Sequence, residues 1–172
     1  MRSFPQVSTQ LRCSALAPPF AVVRANNPGK GEPMLVKRYM QTKVIMVGLD
    51  ERANAALYMM KKKGIRHLLV TDNSKLRGIV TDRDFRLMRP SPATSLSIYE
   101  VHYLLDKLKV KEIMTKKVIT VTPETTIAEA AHLLLNRRIG ALPVLKDEKV
   151  VGIITETDMI RALIDLEEAQ GT

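Results

Sequence analysis

Apolar and polar positions along this chain follow the same order twice. In the second half, Val118-Ile119-Thr120-Val121 is a β-branched run that predicts a strand, and Thr122-Pro123-Glu124-Thr125 breaks it. Thr126, with Glu129 three residues on, has the signature of a capping box at a helix start. Ile127, Ala130, Ala131 and Leu134 then recur at helical spacing, and Leu133 and Leu135 widen the stripe. Cations at Arg137 and Arg138 suit the last turn, and Gly140 follows. Residues 142–145 and 150–154 predict two strands around the polar turn Lys146-Asp147-Glu148-Lys149, hence a hairpin. Pro143 suits an edge or strand-start position. Thr155-Glu156-Thr157-Asp158 opens a last helix that runs through Leu166. The predicted order is strand, helix, strand, strand, helix.

The first half repeats this order. Val44-Ile45-Met46-Val47 predicts the strand, and Asp50 is the expected N-cap. Ala53, Ala56, Leu57 and Met60 form the helical stripe, which Gly64 closes. Strands at 68–70 and 76–80 flank the turn Asp72-Asn73-Ser74-Lys75, and Thr81-Asp82-Arg83-Asp84 opens the final helix. Between the halves, Pro90-Ser91-Pro92 breaks the chain. Ser97 is then expected to cap a connecting helix through Leu108, with Leu96, Ile98, Val101, Leu104, Leu105 and Leu108 on its apolar face.

The likeness is one of sequence as well as pattern. Sliding the chain by 74 positions lays residues 36–87 on residues 110–161 without a gap, with 16 of 52 positions identical. Such a repeat means two copies of one supersecondary unit. A unit of about 50 residues buries too little surface to be secure alone. Two packed copies bury more, and the cleft between them becomes the natural place for function. The fold class expected is α/β (α+β): two β-α-β-β-α repeats packed through their sheets with pseudo-two-fold symmetry. The boundaries expected are an N-terminal extension over 1–33, repeat one over 34–89, a linker with a helix over 90–109, and repeat two over 110–168.

Composition narrows the function. The net charge of +9 includes Arg2, Arg12, Arg24 and Lys30 against Glu32 in residues 1–33, which leaves +6 for the remainder. That favours anionic ligands mildly and falls short of the basic stripe of a dedicated nucleic-acid binder. Aromatic residues are 4% and Trp is absent, which argues against base-stacking platforms. Nucleic acid is therefore the least favoured partner. No apolar run approaches the ~20 residues of a membrane span. The single cysteine, Cys13, forms no internal disulfide, and it makes no metal-ligand spacing with His67, His102 and His132. A reducing, cytoplasmic setting is the default expectation. Residues 1–33 hold five of the nine prolines. They read as a disordered extension, or as sequence upstream of a natural start at Met34. An organellar transit peptide is the less favoured alternative, since prolines interrupt an amphipathic helix. No nucleophile–base set or metal cluster can be named, so catalysis is not expected.

The repeated Gly-Ile-x-Thr-x-x-Asp carries the chemistry: Gly78 to Asp84, and Gly152 to Asp158. As structure alone, Thr-x-x-Asp is a capping-box variant, with the hydroxyl accepting from an orphan N–H, and the alternative function is then a structural or dimerisation module with no ligand. As a site, Thr and a helix start offer donors to a phosphate, Asp accepts from vicinal ribose hydroxyls, and Gly permits close backbone approach.

With this motif, the Met-Thr/Gln-x-x-Val-Ile-x-Val run and the Leu-Pro/Leu-Val strand in the same order twice, residues 36–168 resemble a tandem pair of cystathionine-β-synthase (CBS) domains, a Bateman module. The linker Ser91-Pro92-Ala93-Thr94-Ser95-Leu96-Ser97-Ile98-Tyr99-Glu100 further resembles acetoin-utilisation-type CBS proteins. Those often carry a C-terminal ACT domain, and the end of this chain at Thr172 leads to the expectation of a pair without one. The resemblance implies a regulatory, non-enzymatic sensor that binds AMP, ADP, ATP or S-adenosylmethionine between its repeats, needs no further cofactor, forms a homodimer and signals to an unidentified regulated protein. It implies that Asp84 and Asp158 hold ribose hydroxyls, and that Thr81 and Thr155 approach phosphate. Ile45, Ile119, Ile65 and Ile139 would sandwich adenine. Arg66 and His67 stand where the family places phosphate-facing cations, whereas copy two has Gly140 and Ala141 there. The two clefts are therefore expected to differ, the one with Arg66 and His67 preferring a phosphorylated ligand. A solvated helix end is the alternative reading of that pair. Leu69 in place of Pro143, and Gly48-Leu49 in place of Thr122-Pro123, also set the copies apart.

Overall fold

The computed structural model describes residues 33–87 and 98–170. Its elements are α1 (Val36–Tyr39), β1 (Met46–Gly48), α2 (Ala53–Lys63), β2 (His67–Asp72), β3 (Lys75–Thr81), α3 (Asp82–Leu87), α4 (Ile98–Lys107), α5 (Val110–Ile113), α6 (Ile127–Arg137), β4 (Ala141–Lys146), β5 (Lys149–Thr155) and α7 (Glu156–Gln170). The strands form one sheet in the order β1-β2-β3-β5-β4. The mixed α and β architecture expected from the sequence is present.

The hairpins are near copies. β2 and β3 pair antiparallel, as do β4 and β5, and each ladder slips once, at Val70/Thr71 and at Val144/Leu145. Each turns through two residues of positive φ, Asn73-Ser74 and Asp147-Glu148, the tight turn that matches strand twist. The hairpins meet at a single pair, Lys75 opposite Lys149. Beside that joint, Leu69, Ala141 and Ile153 are buried together, with Val44, Leu76, Ile79 and Val150 packed against them. This apolar seam joins the repeats.

The first strand of each copy is shorter than expected. In copy one, β1 covers Met46–Gly48 and pairs parallel with β2, helped by the Leu69 N–H donating to the Ile45 carbonyl at 3.4 Å. In copy two only Val121 remains, as a single bridge to Val144. The reason is Pro143, which stands where copy one has Leu69 and has no N–H to give. Val121 still donates to the Pro143 carbonyl (3.1 Å) and accepts from Leu145 N–H (2.8 Å).

Helix ends follow local chemistry, with one correction. Thr126 and Glu129 close the expected capping box: Glu129 N–H donates to the Thr126 hydroxyl, and Thr126 N–H donates to the Glu129 carboxylate. Gly64 ends α2 in the left-handed region, at φ 63°. Asp50 is not the cap of α2. That position belongs to Arg52, without a side-chain cap, and the Asp50 carboxylate instead accepts from Lys109 and Lys111 at 2.9 and 2.8 Å. These two cations outcompete a cap and pull the Asp50 pKa down to about 2. Of the connecting helix, Ser97 and Leu96 lie outside the described residues, as do the side chains of Ile98, Val101, Leu104 and Leu105. Leu108 packs on the first core.

Two one-turn helices, α1 and α5, do not follow from the hydrophobic pattern, and they decide how the copies combine. Val36 and Tyr39 of α1 are buried in the core of the second repeat, among Val121, Leu134, Leu142, Val144 and Ile154. Val110 of α5 is buried in the core of the first, among Val47, Ala56, Leu68, Val70 and Val80. The leading segment of each copy therefore completes the other. Backbone pairs record the exchange twice at the 74-residue offset: Leu35 with Thr126 and Arg52 with Lys109, then Gln41 with Ile153 and Ile79 with Thr115.

Candidate functional site

The two Gly-Ile-x-Thr-x-x-Asp motifs sit where β3 runs into α3 and β5 runs into α7. Thr81 donates to Asp84 Oδ2 from both its N–H (2.7 Å) and its hydroxyl (2.8 Å). Thr155 does the same to Asp158 Oδ2, at 2.9 and 2.7 Å. The hydroxyl thus donates to the carboxylate, where the capping reading expected it to accept from an orphan N–H. The carboxylate is the stronger acceptor, and the charge-assisted bond wins. Each motif spends only one carboxylate oxygen on its own cap, so Oδ1 is the oxygen that differs between copies.

Around Asp158 the second oxygen is occupied. Oδ1 accepts from Gln41 Nε2 at 3.1 Å and from Arg161 Nη1 at 3.2 Å, and the residue is only 2% exposed. Asp84 is half-buried, and among the described residues its Oδ1 has no hydrogen-bond partner. The positions equivalent to Gln41 and Arg161 are Thr115 and Leu87, too short or too apolar to make those bonds.

The motif glycines do not leave room for a ligand, as the sequence reading supposed. A Cβ on Gly78 would stand 2.5 Å from Met114 Sδ and 2.9 Å from the Thr115 carbonyl oxygen. On Gly152 it would stand 2.8 Å from Met40 Sδ and 3.1 Å from the Gln41 carbonyl oxygen. The space is filled by the crossed-over methionine of the other copy.

His67 leaves the surface of its own repeat and reaches toward the second. Its Nε2 lies 3.1 Å from where a Cβ of Gly140 would be, with Glu156 Oε2 also beside that glycine. The small residue in copy two is what admits the imidazole. Burial first, and then the Arg66 guanidinium, hold the His67 pKa below its ordinary 6.5, while Asp82, Glu156 and Asp84 oppose the shift. Arg66 is exposed, and its carbonyl accepts from Asp82 N–H at 3.1 Å. His67, Arg66, Thr81 and Asp84 therefore gather at one end of the hairpin.

The four isoleucines are half-buried. Ile45 and Ile65 pack on the first core, and Ile119 and Ile139 on the second. Gln41 and Arg161 were missed by sequence reasoning. Their only signal was the breakdown of the repeat at those two positions. An open groove of about 570 Å³ lies elsewhere, between α6 and the outer edge of the second repeat, lined by Thr120, Thr122, Glu129, His132, Leu133 and Leu145. It contains none of the predicted site residues. Among the described residues no cluster of three or more His, Cys, Asp or Glu could hold a metal ion, and no helix is long and apolar enough to cross a membrane.

Comparison with known proteins places this architecture. The CBS domain model matches residues 36–89 and again 110–165. A CBS domain-containing protein of Dictyostelium discoideum is 34% identical over 137 residues, covering 78% of this chain and 94% of the relative. Among solved structures, a proposed acetoin utilization protein of Vibrio cholerae is 29% identical with a TM-score of 0.67, covering 81% of this chain and 97% of that one. The CBSX2 protein of Arabidopsis thaliana, solved in complex with AMP, is 27% identical with a TM-score of 0.64, covering 78% and 98%. The CBS domain pair of protein MJ0100, solved with 5′-methylthioadenosine and S-adenosyl-L-methionine, is 28% identical with a TM-score of 0.60, covering 76% and 99%. The doubled motif, the crossed leading segments and these matches agree: the chain belongs to the CBS domain family and carries two CBS repeats.

Proposed function

We propose that this protein is a regulatory sensor of an adenosine ligand, without catalysis of its own, and that Asp84 and Asp158 are its ribose-binding carboxylates. The observation that carries the reading is the division of labour at Asp84. Oδ2 is committed to Thr81, and Oδ1, with two lone pairs, suits a pair of vicinal hydroxyls. His67 and Arg66 supply cationic or donor groups at the same end of the hairpin, which favours a phosphorylated ligand such as AMP, ADP or ATP there. Ile45, Ile65, Ile119 and Ile139, each partly exposed at a core edge, offer apolar surface for adenine. AMP on CBSX2, and S-adenosyl-L-methionine on the MJ0100 pair, support this ligand class. A ligand spanning the seam would favour one arrangement of the repeats, and a regulated protein would read that arrangement.

Isothermal titration with AMP, ATP and S-adenosylmethionine tests the reading. Binding of at least one, lost in the Asp84→Ala/Asp158→Ala double variant, is the expected outcome. A double variant that melts earlier yet binds unchanged would reduce the motifs to caps. We further propose a homodimer in a cytoplasmic setting. Ile160, Leu163 and Ile164 on α7 are each at least half exposed and lie on one helical face, an apolar patch that a second copy would cover. Sedimentation of the wild type and of Leu163→Glu checks it: the variant is expected to run as the monomer.

A further inference from the structure

Building on the ribose-binding reading of the two aspartates, we infer that Gln41 and Arg161 form a latch that closes the second cleft at rest, so that ligand enters at Asp84 first. Asp158 is almost fully buried, and all its strong acceptor sites face donors within the chain: Thr155 N–H and hydroxyl on Oδ2, Gln41 Nε2 and Arg161 Nη1 on Oδ1. Ribose hydroxyls gain a bond to Asp158 only by displacing bonds already made. At Asp84 the same carboxylate is half-buried, and its Oδ1 meets no such donor among the described residues. The cause is local sequence. Gln41 and Arg161 in one setting become Thr115 and Leu87 in the other.

The latch is held in register by backbone, not by the side chains that close it. Gln41 N–H donates to the Ile153 carbonyl at 2.8 Å, and Ile153 N–H donates back at 3.0 Å. Met40, one residue earlier, fills the space above Gly152. A substitution at Gln41 should therefore remove the amide while the crossed segment stays in place. Gln41 also belongs to the stretch that leads from α1 into the first repeat. Displacing its amide is a route by which occupation of the second cleft reaches the opposite repeat.

Titration of the full chain with AMP tests this. Two binding events are expected, the tighter abolished by Asp84→Ala and the weaker by Asp158→Ala. Gln41→Thr with Arg161→Leu, which copies the first setting onto the second, should tighten the weaker event about tenfold and move the tighter one by less than twofold. The reciprocal pair, Thr115→Gln with Leu87→Arg, should weaken the tighter event by a similar factor, and it keeps the test independent of how well the first variant folds. If Gln41→Thr/Arg161→Leu leaves the weaker event unchanged or loosens it, Gln41 is no latch. Loss of the tighter event in Asp158→Ala would overturn the order of filling, while the nucleotide reading would stand. Absence of binding by AMP, ADP, ATP and S-adenosylmethionine, in the wild type and in every variant, would sink that reading and the latch together.

Discussion

The two repeats share a backbone down to the position of a ladder slip, yet they part company at a few particular side chains. In the first, β1 is a true strand because Leu69 has an N–H to give. In the second, Pro143 withholds it and a single bridge remains. The first ends its α2 with Gly64 in the left-handed region, and the second ends α6 with Arg138 in the same region, at φ 53°. The first leaves Asp84 half open, and the second encloses Asp158. The duplicated segments thus keep the hairpin ladder and the crossed Val36/Val110 and Met40/Met114 contacts, and differ at a strand donor, a helix end and the neighbours of one aspartate. The difference teaches that equivalence of motif is not equivalence of site. The residues that distinguish the two carboxylates, Gln41 and Arg161, lie outside the motif itself.

The glycines offer the hardest blow to that comparison. Gly78→Ala sets a Cβ against Met114 Sδ and the Thr115 carbonyl, and Gly152→Ala sets one against Met40 Sδ and the Gln41 carbonyl. Sulfur can swing away but a paired carbonyl cannot, so each substitution should cost about 1–3 kcal/mol in denaturant unfolding. Gly78→Ala should be the worse, since its contacts are the closer. An equal and negligible cost in both would mean that the crossed segments are not seated as described. The helix ends come next. Arg138→Gly should stabilise by about 0.5–1 kcal/mol, and Gly64→Ala should destabilise by about the same or somewhat more, because only glycine adopts positive φ without strain. Opposite signs in melting temperature are the expected result, and like signs would break the parallel between the two C-caps.

The smallest effect concerns His67, which has no counterpart in the second repeat, where Ala141 stands. Burial and Arg66 depress its pKa in the folded state, so the folded protein binds this proton less readily than the unfolded chain. Its contribution is present above pH 6.5 and declines as pH falls below that value toward the depressed folded pKa. The wild type should therefore lose more melting temperature between pH 7.5 and pH 5.5 than His67→Gln does. Identical pH profiles would show that the imidazole is not held against the second repeat.

Much was legible along the chain. The strand–helix–strand–strand–helix order, the two tight turns, the Thr126–Glu129 box and the Gly64 stop all depend on residues within a few positions of one another, and local chemistry suffices for them. Asp50 was misread because a cap looks the same in sequence whether or not distant cations compete for the carboxylate. The first strand of copy two was overread for a similar reason. Its β-branched residues were plain, but the missing donor sits on a neighbouring strand some twenty residues away. The motif glycines were assigned to a ligand because nothing in one copy reveals that a methionine of the other fills the space.

The sequence alone determined that the protein is built from two like units, what elements each contains, and which Thr and Asp residues recur at the same place, because periodicity, turn chemistry and a repeat offset are all properties of the linear order. The tertiary structure alone decided that α1 completes the second core and α5 the first, and that Asp158 is enclosed while Asp84 is half open. Those outcomes depend on which segments share a core and which donors reach a carboxylate 117 positions away in the chain. Burial and hydrogen-bond competition are settled in space, between residues that the linear order keeps apart.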